Sequence, residues 1–341
     1  MQLTLDVIFM DSKQNINLEV LVASLLRTPP KRNVLSFFTD VSTNFSVEDT
    51  KALSHCYVLN LGRNNRPDIK DLTEYLFGQI VNYSIPAKEI EKAKQKDSDD
   101  NQTMYMTRLA EKARKLFVQT DNSGEAGEVL LYTMVQEVLG IPQLLCKMPK
   151  KTNSNVHYHG VDGIHVSVDK NKKGQDTLSL YWGESKLKTN ARNAISEAVK
   201  SLEGYLLADG GSQTVAERDL QLVQDNLNIV NEDLESALLQ YLDKDGELYG
   251  HVNYKGICLI GFDYDKYPET PNSDITLEEI TENVNCDIKS WLKTLKGQVK
   301  KYKHLDTFEM HVFLIPFPSV EEFKKAFLQE LGIDINHESS K

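Results

Sequence analysis

The chain has 341 residues, of which 40% are hydrophobic and 26% charged, and carries a formal net charge of −11. That length favours two domains, or one domain with insertions, and no run approaches the ~20 apolar residues of a membrane span. The acidic balance excludes indiscriminate binding to nucleic acid or to an anionic membrane, so any phosphate contact must be local or helped by a partner.

The start, MQLTLDVIFMD, alternates polar and apolar residues and lacks the basic region and continuous apolar stretch of a signal peptide. A cytoplasmic location is expected. Cys56, Cys146, Cys258 and Cys286 are scattered without a CxxC, which reads as reduced, mostly buried thiols and not as disulfides or a cysteine-built zinc site.

Along the first hundred residues, short strand-like runs (LTLDVIFM, NLEVLVASLL, HCYVLNLG) mix with a helical one, DIKDLTEYLFGQIVNYS. The charge-dense stretch KEIEKAKQKDSDDNQT follows, and a boundary is expected near residue 105. Residues 1–105 then form an α+β domain, read as regulatory or partner-binding, and residues 106–341 a second domain.

The second part has a different rhythm. SGEAGEVLLYTMVQEVLG predicts a helix ending at Gly140, and GIHVSVD and TLSLYWGESKL predict two strands joined by the hairpin connection KNKKGQ. NARNAISEAVKSLEGYLLA predicts another helix. A helical insertion is expected at about 209–250, where Leu220, Val223, Leu227, Val230 and Leu234 recur at helix-packing spacing above an acidic face. KGICLIGFD is a strand, ITENVNCDIKSWLKTLKGQVKKYK a long helix, FEMHVFLIPF a strand, and SVEEFKKAFLQEL a helix entered through a Ser319–Glu322 capping box. This order predicts an α/β domain with a mixed sheet covered by helices.

The chemistry concentrates where these elements end. Glu184 and Lys186 stand two apart in a strand, so they share a face and continue the apolar row of Leu178, Leu180 and Trp182. One hairpin earlier, Asp162 has the parity of Ile164, Val166 and Val168, and the preceding helix carries Glu125 and Glu128. Opposite charges at the end of a buried row must be paired, hydrated or used. Used, they suit phosphodiester hydrolysis: Mg²⁺, with Mn²⁺ as a substitute, takes hard oxygens, neutralises phosphate and acidifies water. Asp162 and Glu184 would hold the ion, the main-chain carbonyl of Ser185 and Glu128 would add ligands, and Lys186 would steady developing charge. The structural alternative is a same-face Glu184–Lys186 ion pair with Asp162 capping a turn before Gly163.

Basic residues offer a nucleic-acid track. Lys188, Arg192 and Lys200 follow the motif, while Lys289, Lys293, Lys296, Lys300 and Lys303 form a stripe on the long helix, suited to DNA, to an acidic partner or simply to solvent. His157, His159 and His165 crowd around Asp162 without a third ligand spaced for zinc. Asp263 and Asp265, in FDYD, read as turn residues, and the calcium-like DKDG lacks its remaining ligands. Neither a Walker motif nor a GxGxxG occurs, which speaks against nucleotide binding by this chain.

The string resembles the PD-(D/E)xK nuclease superfamily, with Asp162 as the aspartate, Glu184 and Lys186 as (D/E)xK, and Gly124-x-x-x-Glu128 as the helical glutamate; Val161 stands where the motif has proline. The wider pattern GEAGE, GVDGIH, LYWGESKLK, ICLIGFD and HVFLIPFPSVEEFKKAF resembles the HamA (DUF1837) family of the Hachiman anti-phage defence system. The resemblance implies a restriction-endonuclease-like core and a DNA endonuclease effector restrained by a HamB-like helicase partner. A catalytically inactive nuclease-fold subunit that binds a helicase or DNA ends, or an RNase, remains an alternative.

Overall fold

A computed structural model describes residues 17–27, 31–118, 124–146, 162–207 and 229–333. The elements are α1 (Leu18–Ala23), β1 (Phe38–Ser46), β2 (Ala52–Leu59), α2 (Ile69–Ser84), α3 (Ala87–Asp99), α4 (Met104–Val118), α5 (Glu125–Met134), β3 (Gln143–Leu145), β4 (Gly163–Lys170), β5 (Asp176–Lys188), α6 (Ala191–Leu206), α7 (Glu232–Leu242), β6 (Val252–Asp263), α8 (Leu277–Lys301), β7 (Met310–Phe317) and α9 (Val320–Glu330).

The strands form one mixed sheet of seven, in the order β1-β2-β7-β6-β5-β4-β3. β4 and β5 make the expected antiparallel hairpin, while β5, β6 and β7 run parallel and are linked by helical crossovers. The hairpin turns because Gly174 adopts φ +75° and Asn171 Oδ1 accepts from the amides of Lys173 and Gln175. Helices α6 and α8 cover one face; α2, α5 and α9 pack together over the other. This is the α/β, helix-flanked mixed sheet expected of a nuclease-like core.

Periodicity explains the layers. In β5, Leu178, Leu180 and Trp182 are fully buried, and Trp182 stacks on Tyr205 of α6 and Tyr254 of β6 at 6.0 and 6.3 Å. In α8, Ile280, Val284, Ile288, Leu295 and Val299 make the buried stripe. Ser319 caps α9 by accepting from the Glu322 amide, and the full reciprocal box forms at Thr276 and Glu279 of α8.

The boundary expected near residue 105 corresponds to no break in the sheet. β2 pairs in parallel with β7, Ala52 opposite Met310 through Cys56 opposite Leu314, so strands from the two ends of the chain are neighbours. The polar stretch that suggested a linker is helix α3 and its turn into α4, where both oxygens of Asp97 accept from the amides of Tyr105 and Met106. Within the expected insertion only α7 and its flanks are described. Leu234 is buried and Val230 exposed, while Leu220, Val223 and Leu227 lie outside the described residues.

Candidate active site

The hairpin strands meet the rest of the site where β4 begins. Gly163 opposes Gly183, and the Asp162 amide donates to the Gly183 carbonyl at 2.8 Å. The Asp162 carboxylate then accepts twice on Oδ2, from the amide and from the hydroxyl of Ser185, both at 2.7 Å. A strand amide points within the sheet plane, so this bond keeps the carboxylate at the edge of β5 between the two faces. Its neighbours in the chain are the expected pair: the Lys186 ammonium is hydrogen-bonded to Glu184 Oε1. Glu184 is buried, whereas a quarter of the Lys186 side chain reaches solvent.

Charge at this edge is concentrated. Burial lowers the Lys186 pKa, but Glu184, Asp162 and Glu197 more than offset it and the net shift is upward. The side chain therefore stays an ammonium at neutral pH. Burial, and then the Glu184 carboxylate, push the Cys258 thiol on the adjacent strand well above its usual range.

Helix α5 closes the site from the other face. A Cβ at Gly127 would lie 3.1 Å from Ser185 Oγ and 3.1 Å from Leu187 Cγ, so glycine permits this close approach of helix to strand. One residue on, Glu128 is buried and its Oε2 accepts from the Tyr83 hydroxyl of α2 at 2.6 Å. Tyr83 is fully buried between Phe117 and Tyr132. Burial, then the Glu128 carboxylate and, more weakly, that of Asp162, hold its phenol well above the ordinary range, so it acts as a donor. Glu125 is also buried, and its carboxylate accepts from the Gly124 amide at 3.2 Å.

The donors suit a hard divalent ion. Two carboxylates and a main-chain carbonyl are oxygen ligands of the type Mg²⁺ takes while keeping several waters. Among the described residues no group of three or more His, Cys, Asp or Glu side chains gathers as a ligand cluster. Lys186 lies within electrostatic reach of both Glu184 and Asp162, while Glu128 on α5 is engaged by the Tyr83 hydroxyl.

The basic candidates divide. Lys188 forms an ion pair with Glu197 of α6 at 2.8 Å, and Arg192 is exposed in the first turn of that helix. On α8, Lys289 and Lys293 are exposed, but Lys296 bridges Glu48 and Asp49, both at 2.8 Å, and Lys300 meets Asp49 at 3.1 Å. Two lysines of the proposed phosphate track are thus engaged by the acidic β1–β2 turn. Helix α8 also packs on β1 and β2, at the far end of the strand order from β4.

Other candidates resolve as structure. His165 is buried opposite Tyr181, with Nδ1 3.3 Å from the Ile141 carbonyl; burial pulls its pKa down to about 4, against a smaller upward pull from that carbonyl. His157 and His159 lie outside the described residues. Asp263 begins no isolated turn: its Oδ1 caps α9 by accepting from the Val320 amide at 2.6 Å. Cys56 and Cys258 are buried, Cys146 is partly so and Cys286 is exposed.

Two residues escaped sequence reasoning. Tyr83 shares the apolar face of α2 with Leu72, Leu76 and Ile80, so its spacing reads as core. Lys324 of α9 reaches the Leu187 carbonyl at 3.4 Å, but in the sequence it is one of several lysines on an amphipathic helix. A family model described as HamA matches residues 35–331, from the approach to β1 to the end of α9. No curated protein matches the chain.

Proposed function

Because the chain belongs to the HamA family, we propose that it is the nuclease subunit of a Hachiman-type anti-phage defence complex. It is a Mg²⁺-dependent deoxyribonuclease of the PD-(D/E)xK type that also accepts Mn²⁺, and a HamB-like helicase partner restrains it. The observation that carries this reading is the bond that the Ser185 amide donates to Asp162, which seats one carboxylate at the strand position beside Glu184 and Lys186.

The geometry supports the following roles. Asp162 and Glu184 would hold the ion with the Ser185 carbonyl, and the ion would supply charge neutralisation and an acidified water. Ser185 fixes the Asp162 carboxylate through two donors. Lys186, held as a cation and partly open to solvent, meets the scissile phosphate and balances charge growing on it. Glu128 orients a water from the α5 side. Substrate phosphate would compete with Glu184 for the Lys186 ammonium. The acidic chain repels free DNA, so a partner that delivers DNA also sets when cutting occurs.

One observation favours a second reading. Glu184 and Lys186 already satisfy each other, as they would in a nuclease-fold subunit that only binds a helicase or DNA ends. Incubating the purified chain with Mg²⁺ or Mn²⁺ and matched DNA and RNA substrates decides between them. The nuclease reading expects DNA cleavage that Glu184→Gln and Lys186→Ala each reduce by roughly a hundredfold or more. Cleavage of neither substrate, or variants as active as the parent chain, sinks it; RNA cut in preference to DNA makes the enzyme an RNase.

A further inference from the structure

Burying a carboxylate is expensive, and a well-packed apolar pair usually serves folding as well or better. Glu128 and Tyr83 are nonetheless buried together, joined at 2.6 Å between α5 and α2. The tyrosine cannot move freely. Its ring lies 6.0 Å from that of Phe117 and 5.5 Å from that of Tyr132, and its carbonyl accepts from Cys146 Sγ at 3.4 Å. Both Glu128 and Asp162 act electrostatically on it, so it stands near the α5 acid and the aspartate that precedes β4.

We infer that Tyr83 is a positioning residue of the metal site: its hydroxyl fixes the Glu128 carboxylate, and through it a water of the ion's shell. The inference rests on the nuclease reading above. The path is physical at each link. Tyr83 sits in the last turn of α2 and holds Glu128; Gly127, beside Glu128, lies against Ser185; and Ser185 holds Asp162. Partners that orient metal-site carboxylates typically change metal affinity or activity 10- to 100-fold when lost. A residue from the first hundred is thereby part of the catalytic unit, although Tyr83 touches no reacting atom.

The test uses the full chain and Mn²⁺ alone as probe, with affinity measured by calorimetry in the absence of DNA. Tyr83→Phe removes one hydroxyl and keeps the ring packing. It is expected to weaken Mn²⁺ binding about tenfold and to raise half-saturating Mg²⁺ for cleavage by a similar factor, with the KM for DNA unchanged. In a Glu128→Gln background the same change should add less than about twofold, because its object is gone. Glu128→Asp, which withdraws the carboxylate from Tyr83 and keeps its charge, should reproduce the loss and serves if Tyr83→Phe folds poorly. Unchanged Mn²⁺ affinity in Tyr83→Phe, or a full-sized effect in the Glu128→Gln background, overturns the inference while leaving the nuclease reading intact. A parent chain that neither binds Mn²⁺ nor cleaves overturns both.

Discussion

Acidification should destabilise the protein through His165, and replacing that residue with glutamine should remove the effect. The imidazole is about 1% exposed, donates from Nδ1 toward the Ile141 carbonyl, and lies with Nε2 3.0 Å from where a Gly163 Cβ would stand. Burial lowers its pKa from 6.5 to about 4. The unfolded chain therefore takes up the proton first, so the contribution is intact above pH 6.5, falls as the pH drops toward 4 and changes no further below that. At about 1.4 kcal/mol per pKa unit the ceiling is roughly 3 kcal/mol, with about 2 kcal/mol already lost at pH 5. Urea denaturation from about pH 7.5 to pH 4.5 gives the slope for the parent and for His165→Gln. The static cost of the substitution is the same at every pH, so only the difference in slope matters. His55, whose pKa burial and then His311 also lower to about 4, acts with the same sign in both proteins and cancels in the comparison. Parallel stability curves for the two proteins would refute the reasoning.

Two further outcomes concern the site and its surroundings. Ser185→Ala deletes one of the two donors to Asp162 while leaving the amide, and should reduce metal-dependent cleavage about tenfold with little change in the urea midpoint; an unchanged metal requirement would show that the hydroxyl is dispensable. On α8, Lys289→Ala and Lys293→Ala should each lower the salt dependence of DNA binding by about one counterion if that face tracks phosphate, whereas Lys296→Ala and Lys300→Ala, at residues already paired with Glu48 and Asp49, should change it less. Equal effects from all four would mean that DNA displaces the acidic turn.

How much of this was legible depended on whether the signal was local. The period-two run Leu178, Leu180, Trp182, Glu184, Lys186 determined the strand, its buried face and the charged end together, because alternation and composition agree within one segment. The hairpin was equally plain from Gly174 and its polar neighbours. Side-chain partners from distant segments were not. Nothing near Tyr83 announces Glu128, forty-five positions on, and nothing near Lys296 announces Glu48. The polar stretch before residue 105 was ambiguous for a related reason: it is the solvated face of α3, and a linker has the same composition.

The parallel pairing of β2 with β7 changes what the early residues are for. A chain beginning at residue 106 would leave β7 as a sheet edge, with its amides and carbonyls unpaired alongside the fully buried Phe313, Leu314 and Ile315. It would also strip α2 from α5 and α9, uncovering the apolar side of Phe327 and removing the hydroxyl that holds Glu128. Exposed edges of this kind associate with other chains, so the shortened chain should aggregate on expression and lack cooperative urea unfolding. A soluble, cooperatively folding 106–341 chain that cleaves DNA would show that the early strands are an accessory. If it aggregates as expected, any partner that restrains the chain must act on the assembled sheet and cannot simply detach a separate regulatory domain.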